Sequence, residues 1–324
     1  MKCPVCKNET NKNLVSTYKG YSLFCCDICT VMFWLPLESI SGDKYDSGGI
    51  AVALSDLGLY SVRWEHKRFL EISPNKGGSL LEVGCGNGEF IKQAISAGYD
   101  VTGIDTAVVT LKFSQNVLAS DKLFPLTIQE FAARNPNAKF DVIVFFQVLE
   151  HIDNIPDFID YVKRLLNPGG IVALSVPNCN RWRFKSERFL REEWDLPPCH
   201  LTRWNLLALL TVFNMYGFNA SLFEVEPYKL FERSWSNFIS QKIGINALAE
   251  KFVAKTVGRK LSAVSPDKKS LRKIALRTLG IFYLKVFFPI LTVLTLPLKL
   301  VTRTNQGANV FLTVYLKNAE KKES

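Results

Sequence analysis

The segment Leu80-Leu81-Glu82-Val83-Gly84-Cys85-Gly86-Asn87-Gly88-Glu89-Phe90 decides the reading of this chain. Its apolar start reads as a buried β-strand, its glycines as a tight turn, and the stretch from Glu89 to Ala97 as a helix. Gly84, Gly86 and Gly88 open left-handed backbone conformations and let a ligand lie close against the main chain. The start of the following helix would aim free N–H groups and the positive end of its dipole at that ligand. Glu82 stands two residues before the first glycine. A second apolar strand, Val101-Thr102-Gly103-Ile104, ends in Asp105. An acid placed about twenty residues beyond such a turn can accept both hydroxyls of a ribose.

The loop runs G-x-G-x-G after an acid, not the G-x-G-x-x-G of hydride-transferring dinucleotide enzymes. In this it resembles the class I S-adenosylmethionine (SAM) dependent methyltransferases, whose first motif is E/D-x-G-x-G-x-G. Lys139-Phe140-Asp141-Val142-Ile143-Val144-Phe145-Phe146-Gln147-Val148-Leu149-Glu150-His151-Ile152 is similar to that family's fourth strand and exit loop. Asn167-Pro168-Gly169-Gly170-Ile171-Val172-Ala173-Leu174-Ser175-Val176-Pro177-Asn178 is similar to its turn and fifth strand. The order and spacing resemble the ubiquinone-biosynthesis-like and sugar-methyltransferase-like branch.

That resemblance implies SAM as the cofactor and a set of residues to hold it. Glu82 and the backbone of Gly84, Cys85, Gly86 and Gly88 would carry the methionine portion. Asp105 would take the ribose. Ile128 or Gln129, expected at the end of the third strand, would edge the adenine, and Gln147, at the end of the fourth, would lie near the transferred methyl.

From Ser79 onward, strand and helix patterns alternate. Strands fall near Ser79–Val83, Val101–Ile104, Asp141–Phe145, Ile171–Val176 and Ala220–Glu226. Helices fall near Glu89–Ala97, Val108–Ser120, Ile155–Leu166 and Asn205–Met215. This alternation predicts an α/β fold, a Rossmann-like doubly wound sheet with ligands at the strand C-terminal ends. Asn309–Leu316 resembles the family's seventh strand and would pair antiparallel with the strand at Ala220–Glu226.

Two histidines are candidate catalytic groups. His151 follows Glu150 and either packs the exit loop or lines the acceptor pocket. His200 lies in Pro197-Pro198-Cys199-His200-Leu201-Thr202-Arg203-Trp204. Related enzymes carry a similar P-x-H-L-T/S segment before the next helix. A histidine there can take an acceptor proton, because the residue type changes protonation near neutrality. The alternative is that His200 packs the turn while Thr202 caps the helix.

Cys3-Pro4-Val5-Cys6 and Cys26-Asp27-Ile28-Cys29 form C-x2-C…C-x2-C. Each pair on a tight knuckle presents two thiolates, and two pairs close a four-coordinate shell. The pattern predicts a structural zinc ribbon with ligands Cys3, Cys6, Cys26 and Cys29. Cys25 is a spare neighbour that permits a one-residue register swap. Ribbons of this kind precede the SAM domain in some sugar C-methyltransferases, followed by F-x-x-P and a tyrosine-containing segment. Phe33–Pro36 and Lys44-Tyr45-Asp46 match these here. A helix from about Ser61 to Ile72 is expected to cap the SAM site.

The domain reading is a ribbon over 1–40, a methyltransferase core over 41–230, a basic apolar helical insertion over 231–305, and a last core strand with a tail over 306–324. The net charge of +10 is not evenly spread. Residues 231–305 hold 14 Lys/Arg against 3 Asp/Glu, a net of +11, so the remainder sums to −1. Basicity confined to one segment argues against a nucleic-acid-binding core. Within it, Leu279–Leu298 carries a single charge, Lys285, and is long enough to enter a bilayer. Pro289 and Pro297 break a straight helix, so an in-plane segment fits better. Lys268, Lys269, Arg272, Lys273 and Arg277 upstream suit anionic headgroups. The alternative use of the segment is an enlarged core or a homodimer interface.

The start Met1-Lys2-Cys3-Pro4 has no apolar signal region, which predicts a cytoplasmic enzyme at the inner face of a membrane. The acceptor classes that fit are a glycan, a lipid-linked saccharide or a quinone-like lipid. Two other readings compete. One is a soluble nucleotide-sugar methyltransferase; the other is a membrane-bound scaffold with a vestigial SAM fold.

Overall fold

The computed structural model describes residues 1–38, 63–73, 77–107, 122–180, 195–227 and 309–317. The expectations for residues 44–46, the helix at 108–120 and the insertion at 231–305 lie outside these residues. The elements below belong to one compact unit formed by Met1–Val52, Ser61–Glu226 and Asn305–Ser324. Among the described residues no helix is long and apolar enough to cross a membrane.

A small antiparallel sheet opens the chain. Its strands are β1 (Asn13–Tyr18), β2 (Tyr21–Cys25) and β3 (Met32–Leu35). The two cysteine pairs sit on the turns before β1 and before β3. Its fourth strand comes from far along the chain: β9 (Thr202–Arg203), which pairs antiparallel with β3 through Met32↔Arg203 and Phe33↔Thr202.

The main sheet has seven strands. They are β4 (Ser79–Val83), β5 (Asp100–Ile104), β6 (Leu123–Phe124), β7 (Phe140–Phe146), β8 (Leu166–Pro177), β10 (Phe218–Val225) and β11 (Asn309–Leu316). Their order is β10-β11-β8-β7-β4-β5-β6. Strands β4 to β8 are mutually parallel, and β11 runs antiparallel between β8 and β10. The chain winds outward from β4 through β5 to β6, then returns to β7 on the other side. That reversal opens a crevice above the ends of β4 and β7, where doubly wound sheets bind ligands.

The helices are α1 (Trp64–Ile72), α2 (Glu89–Ser96), α3 (Ile128–Arg134), α4 (Ile155–Leu165) and α5 (Leu206–Met215). Strand neighbours point to opposite faces, so both faces of the central strands are apolar. Leu81, Ile143, Phe145 and Leu174 pack toward the layer of α3, α4 and α5. Leu80, Val142, Val144 and Phe146 pack against Phe69 of α1 and Phe90, Ile91 and Ala94 of α2. Each large side chain so buried contributes about 1.5–3 kcal/mol.

Strand β8 starts at Leu166, five residues before the expected Ile171, and two further assignments that bear on the site differ from the sequence reading. Asn205, not Thr202, caps α5: its side chain accepts from the Ala208 N–H at 2.8 Å. Thr202 is instead a strand residue whose hydroxyl accepts from Trp204 Nε1 at 2.8 Å. The third strand, β6, is two residues long, so Ile128 and Gln129 do not end it. They form the first turn of α3 behind a Thr127–Glu130 capping box, with the Ile128 side chain buried in the core.

Candidate active site

The turn after β4 has the geometry its glycines permit. Gly84, Gly86 and Gly88 have φ of 74°, 50° and 74°. A Cβ on Gly84 would lie 2.4 Å from Val148 Cγ2, so only glycine lets the loop pass under the β7 exit. The Gly84 and Cys85 N–H groups both donate to Ile104 O, at 2.8 and 3.1 Å, which clamps the turn to β5. Gly88 opens α2. Asp105 Oδ2 accepts the Gly86 N–H at 2.7 Å, and Oδ1 accepts the Ala107 N–H at 2.8 Å. The acid at the end of β5 therefore shapes the glycine turn.

Glu82 is 4% exposed, and its Oε2 has no hydrogen-bond partner among the described residues. Burial first, and the neighbouring Asp105 charge second, push its carboxyl well above the usual range, while Arg63 pulls it down. A buried acceptor of this kind is costly in a fold unless a ligand completes it. Burial and the same two acids hold the Cys85 thiol well above its ordinary value, so it is a packing group and not a nucleophile.

Gln147 follows β7 with φ of 57°. Its N–H donates to Ser175 O at 2.8 Å and its Nε2 to Ser175 Oγ at 3.1 Å. Ser175 Oγ in turn donates to Glu65 Oε1 at 3.4 Å. Glu65 is buried, and Arg63 Nη1 stands 3.8 Å from it. Arg63 and Glu65 were not expected from the sequence. A buried acid on a capping helix reads as a polar surface position until the helix is docked.

The two histidines meet. Their ring centroids are 4.7 Å apart at 77°. His151 Nδ1 is 2.7 Å from Cys199 O. A carbonyl only accepts, so that nitrogen carries the proton and Nε2 turns to Glu150, 4.0 Å from its Oε1. Burial lowers His151 to about 4, leaving it neutral at pH 7. His200 Nδ1 lies 3.0 Å from Asp195 Oδ1, and both residues are buried. An ionised Asp195 would hold the Nδ1 proton and leave Nε2 as a lone pair. One ligand atom each from Glu150, His151 and His200 lies within 4.8 Å of the others. Asp195 and Glu150 were also missed, because neither sits at a spacing that marks a site.

Glu150 is 1% exposed, and its Oε2 has no hydrogen-bond partner among the described residues. Burial pushes its carboxyl up to about 7, against a smaller opposing pull from His200. The folded state thus favours the protonated form. Its share of stability is fully present below pH 4.5 and drains away as pH rises through 7. The displacement from 4.5 to about 7 corresponds to about 3 kcal/mol. Glu150→Gln is expected to raise stability by up to that amount at pH 8 and to leave it unchanged at pH 4. Urea denaturation at the two pH values checks this, and equal shifts at both would refute it.

At the N-terminus, Cys3 Sγ–Cys29 Sγ and Cys6 Sγ–Cys26 Sγ are each 3.8 Å, and all four sulfurs lie within 4.8 Å of one another. Sulfurs bound tetrahedrally to one ion at 2.3 Å would stand about 3.8 Å apart, so the cluster fits zinc. Both knuckles close in the same way. Lys7 N–H donates to Cys3 O and Thr30 N–H to Cys26 O, and Lys7 and Thr30 each have φ of 61°. Cys25 stays outside, its Sγ turned to Cys26 O and Thr30 O, which settles the register.

Fold, glycine turn and crevice together define the methyltransferase class. A family model described as a methyltransferase domain matches residues 60–221, half of the chain, and the chain belongs to that family as a SAM-dependent methyltransferase. It is similar to ubiquinone biosynthesis O-methyltransferases. That of Pasteurella multocida is 29% identical over 168 residues, covering 44% of this chain and 69% of the relative. That of Pseudomonas paraeruginosa is 33% identical over 148 residues, covering 44% and 61%. The mitochondrial enzyme of Rattus norvegicus is 32% identical over 111 residues, covering 32% of each chain. The crystal structure of the cyclase SpnF matches with a TM-score of 0.50 at 18% identity, covering 85% of this chain and 95% of that one, a likeness of fold.

Proposed function

We propose that this enzyme methylates a hydroxyl of a quinone-like lipid, a lipid-linked saccharide or another glycan at a membrane surface. The observation that supports the reading is the passage of the Gly84 turn directly under Val148 at the β7 exit, three residues before His151, which pairs with His200. The Glu82–Gly88 turn with Asp105 is one half-site; the paired His151 and His200 are the other. When bound, SAM supplies an electrophilic methyl on a sulfonium, so the protein's task is alignment.

In this reading Glu82 and the Gly84–Gly88 backbone hold the methionine portion, and Asp105 the ribose. Gln147, fixed by Ser175, borders the methyl. His200 Nε2 accepts the acceptor's hydroxyl proton, and Asp195 stabilises the imidazolium that results. The likeness to ubiquinone O-methyltransferases supports a hydroxyl acceptor. The apolar, basic composition of 231–305 supports a membrane surface as its source, with an anionic lipid partner. Zinc in the four-cysteine cluster fits as a structural ion.

The convergence of Glu150, His151 and His200 favours a second use of the same pocket. A divalent cation held there would polarise the acceptor oxygen. Both histidines would offer Nε2, with Nδ1 braced by Cys199 O and Asp195, as outer partners brace metal-ligating histidines.

Titration calorimetry of the purified chain with SAM, with and without anionic liposomes, tests the reading. One SAM bound per chain together with co-sedimentation on liposomes is expected. Binding without co-sedimentation moves the acceptor to a soluble sugar. Absence of SAM binding overturns the proposal.

A further inference from the structure

We propose that the four-cysteine module is the positioning element for the His151–His200 pair, so that occupancy of its metal centre sets the acceptor half of the site and spares the SAM half. The inference rests on the methyl-transfer reading for its functional meaning. Its physical content stands on the connections described next.

The loop that carries His200 belongs to the module's sheet. Two residues after His200, β9 begins, and β9 pairs with β3. Trp34 N–H donates to Leu201 O at 2.9 Å, and Leu201 N–H donates to Glu150 O at 2.8 Å. One run of backbone hydrogen bonds thus joins the module, the residue beside His200 and the turn bearing Glu150 and His151. Side chains repeat the connection. Leu196, next to Asp195, is buried with Leu23 and Trp34 of the module. Arg203 lies over the Trp34 ring at 5.9 Å, and its Nη2 donates to Asp195 O at 3.0 Å. The backbone of Asp195, whose carboxylate meets His200, is therefore held from the side of the module's sheet.

The metal centre reaches this strand directly. Cys29 stands three residues before Met32, and Cys26 N–H donates to Val31 O at 3.1 Å, so the second knuckle leads straight into β3. At the first knuckle, Tyr216 Oη donates to Val5 O at 2.7 Å. Modules below about 40 residues seldom bury enough apolar surface to hold themselves, and a metal commonly supplies the difference. The Gly84–Gly88 turn is clamped elsewhere, through Ile104 of β5 and Asp105.

The chain has three histidines, which makes the test direct. His151 and His200 are the pair in question. His66 sits on the other face of the main sheet, 5.2 Å from the Phe90 and the Phe146 rings, and serves as an internal control. The experiment compares histidine ring resonances by NMR in the full-length protein and its Cys29→Ser variant, with zinc content and SAM titration measured on the same samples.

The expected result is zinc falling from one per chain to none, displaced His151 and His200 signals, an unmoved His66 signal and unchanged SAM affinity. Unmoved His151 and His200 signals in the metal-free variant overturn the proposal. So does a collapse of all three, which would make the centre a support of the whole fold. Leu196→Ala keeps every cysteine and gives a second reading: zinc retained with a displaced His200 signal supports the coupling, and an unmoved one overturns it. Failure of the methyl-transfer reading would show separately, as absent SAM binding in the unmodified chain.

Discussion

His200→Ala is expected to leave SAM affinity unchanged and to lower turnover on the true acceptor by about 10²–10⁴-fold, the range for loss of a positioned general base. The geometry specifies why. His200 is buried, its Nδ1 is engaged by Asp195 at 3.0 Å, and its ring meets that of His151. An Asp–His pair holds one tautomer and stabilises the charge formed when the ring takes a proton. Asp195→Asn retains the shape but accepts either tautomer, so its turnover should fall between the parent and His200→Ala. The residues of the SAM turn lie at the ends of β4 and β5 and are untouched by either change. Full activity in His200→Ala would remove it as the base and leave alignment as the whole of the catalysis. Equal loss of SAM binding would make it a structural residue.

The central strands were legible because parallel strands covered on both faces are continuous apolar runs. Leu80–Val83 and Val142–Phe146 bury alternate residues in two different layers, and the buried Glu82 is the one polar residue among them. The glycine turn was legible because its backbone conformation excludes other residues, at Gly84 by contact with Val148 as well as by φ. The cysteine spacing identified the module, and the structure chose Cys26 over Cys25 by aiming one thiol inward and the other away.

What escaped the sequence depends on long-range docking. Glu65 matters because α1 lays it against Ser175, 110 residues away. Asp195 matters because the chain turns back through Pro197 and Pro198 to set it against His200, a spacing that belongs to no helix or strand period. β9 is two residues long, too short for any alternation to announce it. Ile128 and Gln129 were misplaced for the same reason. A two-residue β6 gives no apolar run from which to count its end, and the helix α3 that the Thr127–Glu130 capping box opens was not expected there.

Asp105→Ala is expected to weaken SAM binding by at least about 10²-fold, close to 3 kcal/mol, while the protein stays folded. A carboxylate has about four acceptor positions. The Gly86 and Ala107 N–H groups take one position on each oxygen, and in the proposed reading the ribose diol binds the same carboxylate. Each hydrogen bond to a charged acceptor is worth about 1.5–3 kcal/mol. The substitution also frees the Gly86 N–H, so the turn loses its shape at the moment the ligand loses its anchor. Against this, removing Asp105 relieves the like-charge pressure on buried Glu82, which limits the cost to the fold. Affinity and stability should therefore separate: calorimetry would show the loss of binding, and thermal melting would show little change. Asp105→Asn sharpens the test, since the amide keeps one acceptor and adds a donor, and it should recover part of the affinity. Unchanged affinity in Asp105→Ala would sink the ribose role and leave Asp105 as a brace for the glycine turn alone.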